Sequence, residues 1–315
     1  MSLEALFIEI FEKYRSNNNV FAIDIGNRFV DEKRTDEHCV RMHMQGDLPA
    51  ESKPSQAEVQ LLNYRIASTD QVGSFSSDPK RKVGRRTIQP GLSIGGVLSS
   101  RRGTAGTIGL IGYDKLQSNQ LSLITCHHVV PSKAKILVTQ PGTSLDRGDR
   151  RIHVVGRLSR FDPQGDAALI HLFGRRNNPA RTRILTDFKI FQTGDKINAI
   201  RRPRLGDILT KSGRTSGVTE AIVDGIGYYL KSRGRGQPRV AIPAFRLVPV
   251  DPANSAKVEI SMNGDSGSIW YDKTTREGVG LLFAGEERKI PHSMEFSWAQ
   301  QLTDVFERLR FSLSP

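Results

Sequence analysis

The sequence predicts a mainly β protein in which a small α+β N-terminal domain precedes two consecutive β domains and a closing helix. Three observations carry this prediction. From about residue 90, short β-rich runs at 106–113, 120–125, 134–138, 152–158 and 167–172 are separated by Gly, Pro, Asn and Asp turns, the rhythm of a sandwich or barrel. A second set of runs follows at 208–211, 218–226, 240–250, 267–271 and 278–283. Helical spacing of apolar residues marks the two ends, with Leu3, Leu6, Phe7, Ile10 and Phe11 at one and Trp298, Leu302, Val305, Phe306 and Leu309 at the other.

The elements follow in order. After the first helix, 20–30 and 38–44 read as strands joined by the charged turn 31–37, with Val40, Met42 and Met44 alternating toward one face. Residues 45–89 are poor in apolar residues and end in Lys80-Arg81-Lys82-Val83-Gly84-Arg85-Arg86, which reads as a linker. The expected boundaries are therefore 1–88 for the N-terminal domain and its linker, and 89–315 for the remainder. Within the latter, the first β domain occupies about 89–200, the second about 201–290 and the helix about 294–310.

Composition narrows the class. The 315 residues allow two domains at about 150 residues each. With 37% hydrophobic and 25% charged residues, a coiled coil, a collagen and a wholly disordered chain are excluded. No apolar run approaches the roughly 18–20 residues of a membrane helix. Cys39 and Cys126 are too few for a disulfide framework. Glu4, Glu9 and Glu12 interrupt the N-terminal apolar stretch and argue against a signal peptide, so a reducing, cytoplasmic setting is expected. The 46 Lys and Arg against 33 Asp and Glu give a formal charge of +13. The excess is scattered over 80–86, 147–160, 175–183, 201–204 and 233–239. A solvated surface or a face for nucleic acid or an acidic protein partner would each use it, but no nucleic-acid-binding motif accompanies it.

Three segments supply the parts of acyl-transfer chemistry. Asn263-Gly264-Asp265-Ser266-Gly267-Ser268 places a serine on a glycine-flanked turn, where backbone N–H groups can converge. Leu123-Ile124-Thr125-Cys126-His127-His128-Val129 runs a strand into imidazoles that could take the serine proton. Gly165-Asp166-Ala167-Ala168-Leu169 offers a carboxylate to orient an imidazole.

The order of these segments, with His128 38 residues before Asp166 and Asp166 100 before Ser266, resembles that of the trypsin-like serine peptidases of chymotrypsin fold. The stretch 206–219, containing Lys211-Ser212-Gly213-Arg214-Thr215-Ser216-Gly217, is similar to the segment opening the second barrel in bacterial members. Gly26-Asn27-Arg28 through Leu48-Pro49, Pro90-Gly91-Leu92-Ser93-Ile94-Gly95-Gly96 and Gly103-Thr104-Ala105-Gly106-Thr107-Ile108-Gly109 are similar to bacterial peptidases related to plant Narrow-leaf proteases.

The resemblance implies a double β-barrel of chymotrypsin type and a serine endopeptidase needing no cofactor or metal. It selects His128 over His127, Asp166 over Asp162, and Ser266 as nucleophile, with an oxyanion hole from the N–H groups of Gly264 and Ser266. It makes Asp265 structural, pairing in cleaved relatives with a new N-terminus. No activating site precedes Ile94 here, so an internal partner is expected. The S1 floor falls on Ile260 and its wall on Phe283, Ala284 and Gly285, which implies small or apolar P1 residues unless Glu286 or Glu287 reaches inward. Cys126 reads as a core residue, with a nucleophile or metal ligand as the competing role. The substrate is protein or peptide, and an oligomer through residues 1–88 fits the same resemblance. The rival reading is a protease-fold binding module whose basic surface contacts nucleic acid or an acidic partner.

Overall fold

The computed structural model describes residues 1–30, 33–46, 48, 53–54, 59–63, 79–97, 105–130, 136–143, 146–162, 164–174, 184–232, 237–251, 258–285 and 295–315. Glu286, Glu287 and much of the basic runs 175–183 and 233–239 lie outside the described residues.

Helix α1 (Leu3–Tyr14) starts at Ser2, whose hydroxyl accepts the Ala5 N–H at 3.2 Å and satisfies one of the unpaired N–H groups of the first turn. It buries Leu6, Ile10 and Tyr14 against the hairpin of β1 (Val20–Val30) and β2 (Lys33–Met44). Of the charged run expected as a turn, the described residues 33–37 are strand. Arg34 Nη2 donates to Asn27 Oδ1 at 2.9 Å, Thr35 Oγ1 to the Arg28 carbonyl at 3.0 Å, and Arg28 pairs with Glu37 at 3.2 Å. Cross-strand polar pairing makes the charges compatible with a ladder. A short strand, β3 (Val59–Asn63), then runs parallel to β2, within the expected linker.

The next elements are β4 (Thr87–Ile88), β5 (Ser93–Gly96), β6 (Gly106–Thr107), β7 (Ile111–Asp114), β8 (Gln120–Thr125), β9 (Leu137–Thr139), β10 (Val154–Phe161) and β11 (Ala168–Leu172). Strand order β7-β8-β11-β10-β9-β5-β6 closes on itself, because one stretch carries both β6 and β7. Ile108 donates to the Leu92 carbonyl at 2.8 Å, while Gly109 donates to Ile124 at 2.9 Å. The stretch therefore bonds β5 at one end and β8 at the other, and the sheet becomes a barrel without open edges.

After β12 (Leu185–Thr186), which pairs with β4, and β13 (Ala199–Ile200) come β14 (Ile208–Gly213), β15 (Gly217–Lys231), β16 (Val240–Val248), β17 (Ile269–Asp272), β18 (Glu277–Gly285) and β19 (Ser297–Gln301). The order β14-β17-β18-β19-β16-β15 closes through the β14–β15 pair into a second barrel. The molecule is thus mainly β with two curled sheets, as the chymotrypsin-type expectation has it.

The C-terminal helix is shorter than the spacing predicts. Helix α2 covers Leu302–Leu309, and Trp298 belongs to β19, whose residues are all buried between β16 and β18. A strand buried on both faces shows no alternation, so the four-residue step from Trp298 to Leu302 imitates a helical period. Strand β20 (Phe311–Ser312) then pairs with β7, tying the chain end back to the first barrel.

The N-terminal hairpin joins the second barrel's sheet. The first half of β15 pairs with β14, and its second half pairs with β1 from Gly225↔Gly26 to Tyr229↔Ala22. The apolar residues Leu6, Ile10, Val40, Met42 and Met44 form one cluster with Val20, Ile23, Leu48 and Leu230. Their cover thus comes from within the same chain.

Beneath that cluster lies a buried ionic network. Arg41 Nε and Nη2 donate to the two Asp24 oxygens at 2.7 Å each, and Arg41 Nη1 donates to Asp224 Oδ2 at 2.7 Å. Arg246 Nη1 reaches the same Asp224 oxygen at 2.5 Å. A side chain at Gly26 or at Gly225 would collide with the Arg41 guanidinium, which explains glycine at both members of that register pair. His43 stands 3.1 Å from Asp24, and burial pushes it down to about 4, so it is neutral at neutral pH.

Removing one partner of a buried ion pair strands the other's charge, at about 3–5 kcal/mol. Arg41→Met should therefore lower the denaturant midpoint by an amount corresponding to that loss, with an unchanged slope. An Arg41→Met protein as stable as wild type would show that the network contributes nothing net.

Candidate active site

The first barrel contributes a carboxylate and an imidazole. Strand β8 ends at Thr125, and a single 3-10 turn, His127–Val129, follows. Asp166, just before β11, accepts the His128 N–H at Oδ1 (3.0 Å), and its Oδ2 lies 2.5 Å from His128 Nδ1. The Asp166 carbonyl also receives the His127 N–H at 3.2 Å and Gln300 Nε2 at 2.9 Å. Burial would raise the Asp166 carboxyl, but the His128 hydrogen bond and the charges of His128 and Lys231 hold it below its ordinary value. With Nδ1 engaged, Nε2 is the free nitrogen on a side chain that is 47% exposed.

The neighbouring alternatives are occupied elsewhere. His127 stacks on Phe161 at 4.1 Å with rings nearly parallel. Asp162 pairs with Arg308, whose Nε lies 2.5 Å from Oδ2, and accepts the Gln164 N–H at 2.9 Å.

The second barrel contributes the serine turn, and Asp265 organises it. This fully buried carboxylate accepts the N–H groups of Thr215 (2.7 Å), Ser216 (3.1 Å) and Met262 (3.0 Å), the Ser216 hydroxyl (2.5 Å) and Lys211 Nζ (3.1 Å). Burial opposes its charge, yet Lys211 and these donors hold the carboxyl below its usual range. The ammonium of Lys211 supplies the internal partner expected for Asp265. The turn needs left-handed backbone at Gly264 (φ 100°) and Gly267 (φ 97°), where L side chains are disfavoured. Among the described residues, the N–H groups of Gly264 and Ser266 donate to no protein acceptor, and the Ser266 hydroxyl makes no hydrogen bond.

Two residues of the first barrel seat this turn. Thr107 donates its N–H to the Ser266 carbonyl at 2.8 Å and its hydroxyl to the Gly264 carbonyl at 2.9 Å. At Gly106, an added Cβ would strike Val129, the residue after His128, and would lie 2.8 Å from the Ser266 carbonyl. The histidine turn and the serine turn therefore meet over one glycine. Beside them, Arg214 Nε donates to Asp146 Oδ2 at 2.5 Å, and the Arg214 side chain packs against Gly264.

At the proposed S1 region, Ile260 is fully buried and belongs to the apolar core of the second barrel with Leu209, Val223, Trp270 and Leu282. Its neighbour Ser261 instead faces the wall. A Cβ on Gly285 would lie 2.9 Å from Ser261 Oγ and 3.7 Å from Ser297 Cβ. Phe283 packs edge-on against Tyr229 at 5.0 Å, and Ala284 pairs with Trp298.

Sequence reasoning missed Lys231, Gln300, Ser261 and the buried Glu295, whose Oε1 accepts the Ser261 N–H at 3.4 Å. No local pattern marks them. Lys211 and Arg214 stood within a noted segment, but their bonds to Asp265 and Asp146 depend on folding.

Cys126, His128 and Asp166 bring three possible metal-ligating atoms within 4.8 Å of one another. The 2.5 Å between His128 Nδ1 and Asp166 Oδ2 is a hydrogen-bond length, whereas ligands around a tetrahedral zinc stand roughly 3.3 Å apart given bonds near 2.0–2.2 Å. The Cys126 Sγ points at the Leu282 carbonyl at 3.0 Å, and burial raises the thiol well above its ordinary value, disfavouring a thiolate. The donor set does not fit a metal.

No family model matches the sequence, and no curated protein matches it. Among solved structures, the chain is similar to the Nocardiopsis protease at 14% identity and a TM-score of 0.48, covering 73% of this chain and 100% of that one. It is similar to Thermobifida fusca Protease A at 13% identity and 0.47, covering 72% and 98%. A glutamic acid-specific serine protease matches at 15% and 0.49, covering 72% and 100%.

Lys211→Met should leave Asp265 buried without its cation, at about 3–5 kcal/mol, read as a lowered unfolding midpoint. A variant as stable as wild type would show that the backbone donors alone hold the carboxylate.

Proposed function

We propose that the chain is a serine endopeptidase acting through His128, Asp166 and Ser266. One juxtaposition supports this reading above all. Two backbone N–H groups without protein acceptors flank a serine whose turn rests, across Gly106, on the turn of an aspartate-bound histidine.

The chemistry follows from these groups. Ser266 Oγ attacks the scissile carbonyl carbon while His128 Nε2 takes the hydroxyl proton, and Asp166 stabilises the resulting imidazolium. The oxyanion forms within reach of the Gly264 and Ser266 N–H groups, where losing one donor costs on the order of 10²–10³ in rate. The imidazolium then protonates the departing amine. Water, deprotonated by the same nitrogen, hydrolyses the acyl-enzyme and restores the serine.

Specificity is assigned to small P1 residues. Ser261 Oγ narrows the slot beside Gly285. Chemistry is assigned to 89–315 and a supporting role to 1–88, because β1 flanks β15. The excess of basic residues is partly spent inside the fold: Arg41, Arg81, Arg214 and Arg246 are buried, and Arg201 is held by Asp207, Asp272 and Glu277.

A serine-directed fluorophosphonate should label the chain, and Ser266→Ala should abolish labelling. Ser266→Ala or His128→Ala should each reduce peptide hydrolysis by roughly 10⁶-fold. Asp166→Asn should be far more damaging than Asp162→Asn. Labelling that survives Ser266→Ala, or equal damage from the two aspartates, would sink the assignment. Among P1-varied peptides, Ala and Ser should be cleaved faster than Phe, Lys or Arg, and Ser261→Gly should raise turnover of the larger apolar residues. A preference for Lys or Arg would overturn the small-pocket reading.

A further inference from the structure

We propose that Lys231 is a positioning residue for the His128–Asp166 pair, a cation delivered by the second barrel that fixes the carboxylate and screens part of its charge from the imidazole. The inference rests on the peptidase reading above and gives a role to a side chain that no sequence pattern marks.

Strand β15 runs beyond the barrel between β1 and β16, and Lys231 is its last residue, paired with Val240. There its ammonium reaches the first barrel. Lys231 Nζ donates to the Gly165 carbonyl at 3.1 Å and stands 3.7 Å from Asp166 Oδ1. Oδ1 is the oxygen that accepts the His128 backbone N–H, whereas Oδ2 meets the ring. The cation thus addresses the oxygen that the imidazole does not use. Any rotation of the carboxylate would break its contacts with the His128 backbone and with Lys231 together.

Two opposing effects act on the imidazole. The carboxylate favours the protonated ring, and the ammonium behind it disfavours that form. Among the described residues, the other charged groups nearby are balanced. Asp162 is paired with Arg308 of α2. Burial lowers His127 toward its neutral form, and Cys126 is kept a thiol. Lys231 is therefore the uncompensated cation facing the pair. Its side chain is 35% exposed, so solvent weakens the reach of its charge beyond the carboxylate it faces.

The N-terminal extension holds this strand end in place. Arg239 Nη1 donates to the Asn17 carbonyl at 2.7 Å and Nη2 to the Leu230 carbonyl at 2.5 Å. A residue preceding β1 is thereby clamped to the residue before Lys231, which gives residues 1–44 a physical route to the catalytic pair.

The test compares Lys231→Met and Lys231→Arg in the full chain by two measurements. One is the pH profile of the second-order fluorophosphonate labelling rate. The other is the NMR titration of the His128 ring in the Ser266→Ala background, which requires no activity. In Lys231→Met both midpoints should move up, with less than about a tenfold loss at the alkaline plateau, and Lys231→Arg should return both toward wild type. Unmoved midpoints in Lys231→Met, even with a lowered melting temperature, would mean that Lys231 only pins Gly165 and would overturn the proposal. A shift that Lys231→Arg fails to reverse would also overturn it. Absence of labelling in the wild-type chain would refute the peptidase reading, and the ring titration would still decide the role of Lys231.

Discussion

The bond between Asp265 and Lys211 is the constraint on which the site depends. A carboxylate with no exposed surface is tolerated only when its oxygens are filled and its charge is answered. Here three backbone N–H groups, one hydroxyl and one ammonium fill them. Because those donors come from both 211–216 and Met262, satisfying the carboxylate fixes the path of the chain into Ser266. The left-handed glycines on either side follow from that path, as do the two N–H groups left for a ligand.

The second requirement is that two barrels present their halves of the site at one distance. That distance is set by backbone rather than by long side chains. Thr107 bonds both the Ser266 and the Gly264 carbonyls, and Gly106 lets the histidine turn and the serine turn approach without a side chain between them. Helix α2 reinforces the join. Leu302, Val305, Phe306 and Leu309 pack in one apolar cluster with Ile111, Leu123 and Leu169 of the first barrel. Since a misplacement of about 1 Å can cost 10²-fold in rate, short backbone links are the appropriate device.

The N-terminal hairpin solves a different problem. Strand β15 is longer than its barrel needs, and its second half would offer an open edge to other chains. Strand β1 closes that edge, and the Arg41 network locks it in register, because a slip of one residue would remove Gly26 from Gly225 and leave no room for the guanidinium. The protruding strand is also the one that carries Lys231 to Asp166. The covering of an edge and the placing of a charge are thus served by the same pairing.

The sequence alone determined the β class, the two strand sets and the three short segments with their order, because these are local: turn residues, apolar runs and motif spacing are written in neighbouring positions. The resemblance added the expectation of an internal partner for Asp265. The sequence misread 297–301, because a strand buried on both faces has no period to distinguish it from a helix. The charged residues 33–37 were misread for a related reason, since cross-strand partners such as Asn27 for Arg34 are invisible along the chain. Only the tertiary structure decided that Lys211 answers Asp265, that Ser261 borders Gly285, that β1 belongs to the second barrel's sheet, and that Lys231 meets Gly165 across 66 residues, with its neighbour Asp166 beside it. Each of these is a contact between segments remote in sequence. Burial creates it by forcing polar groups that have lost water to find one another, and nothing local records which pair will meet.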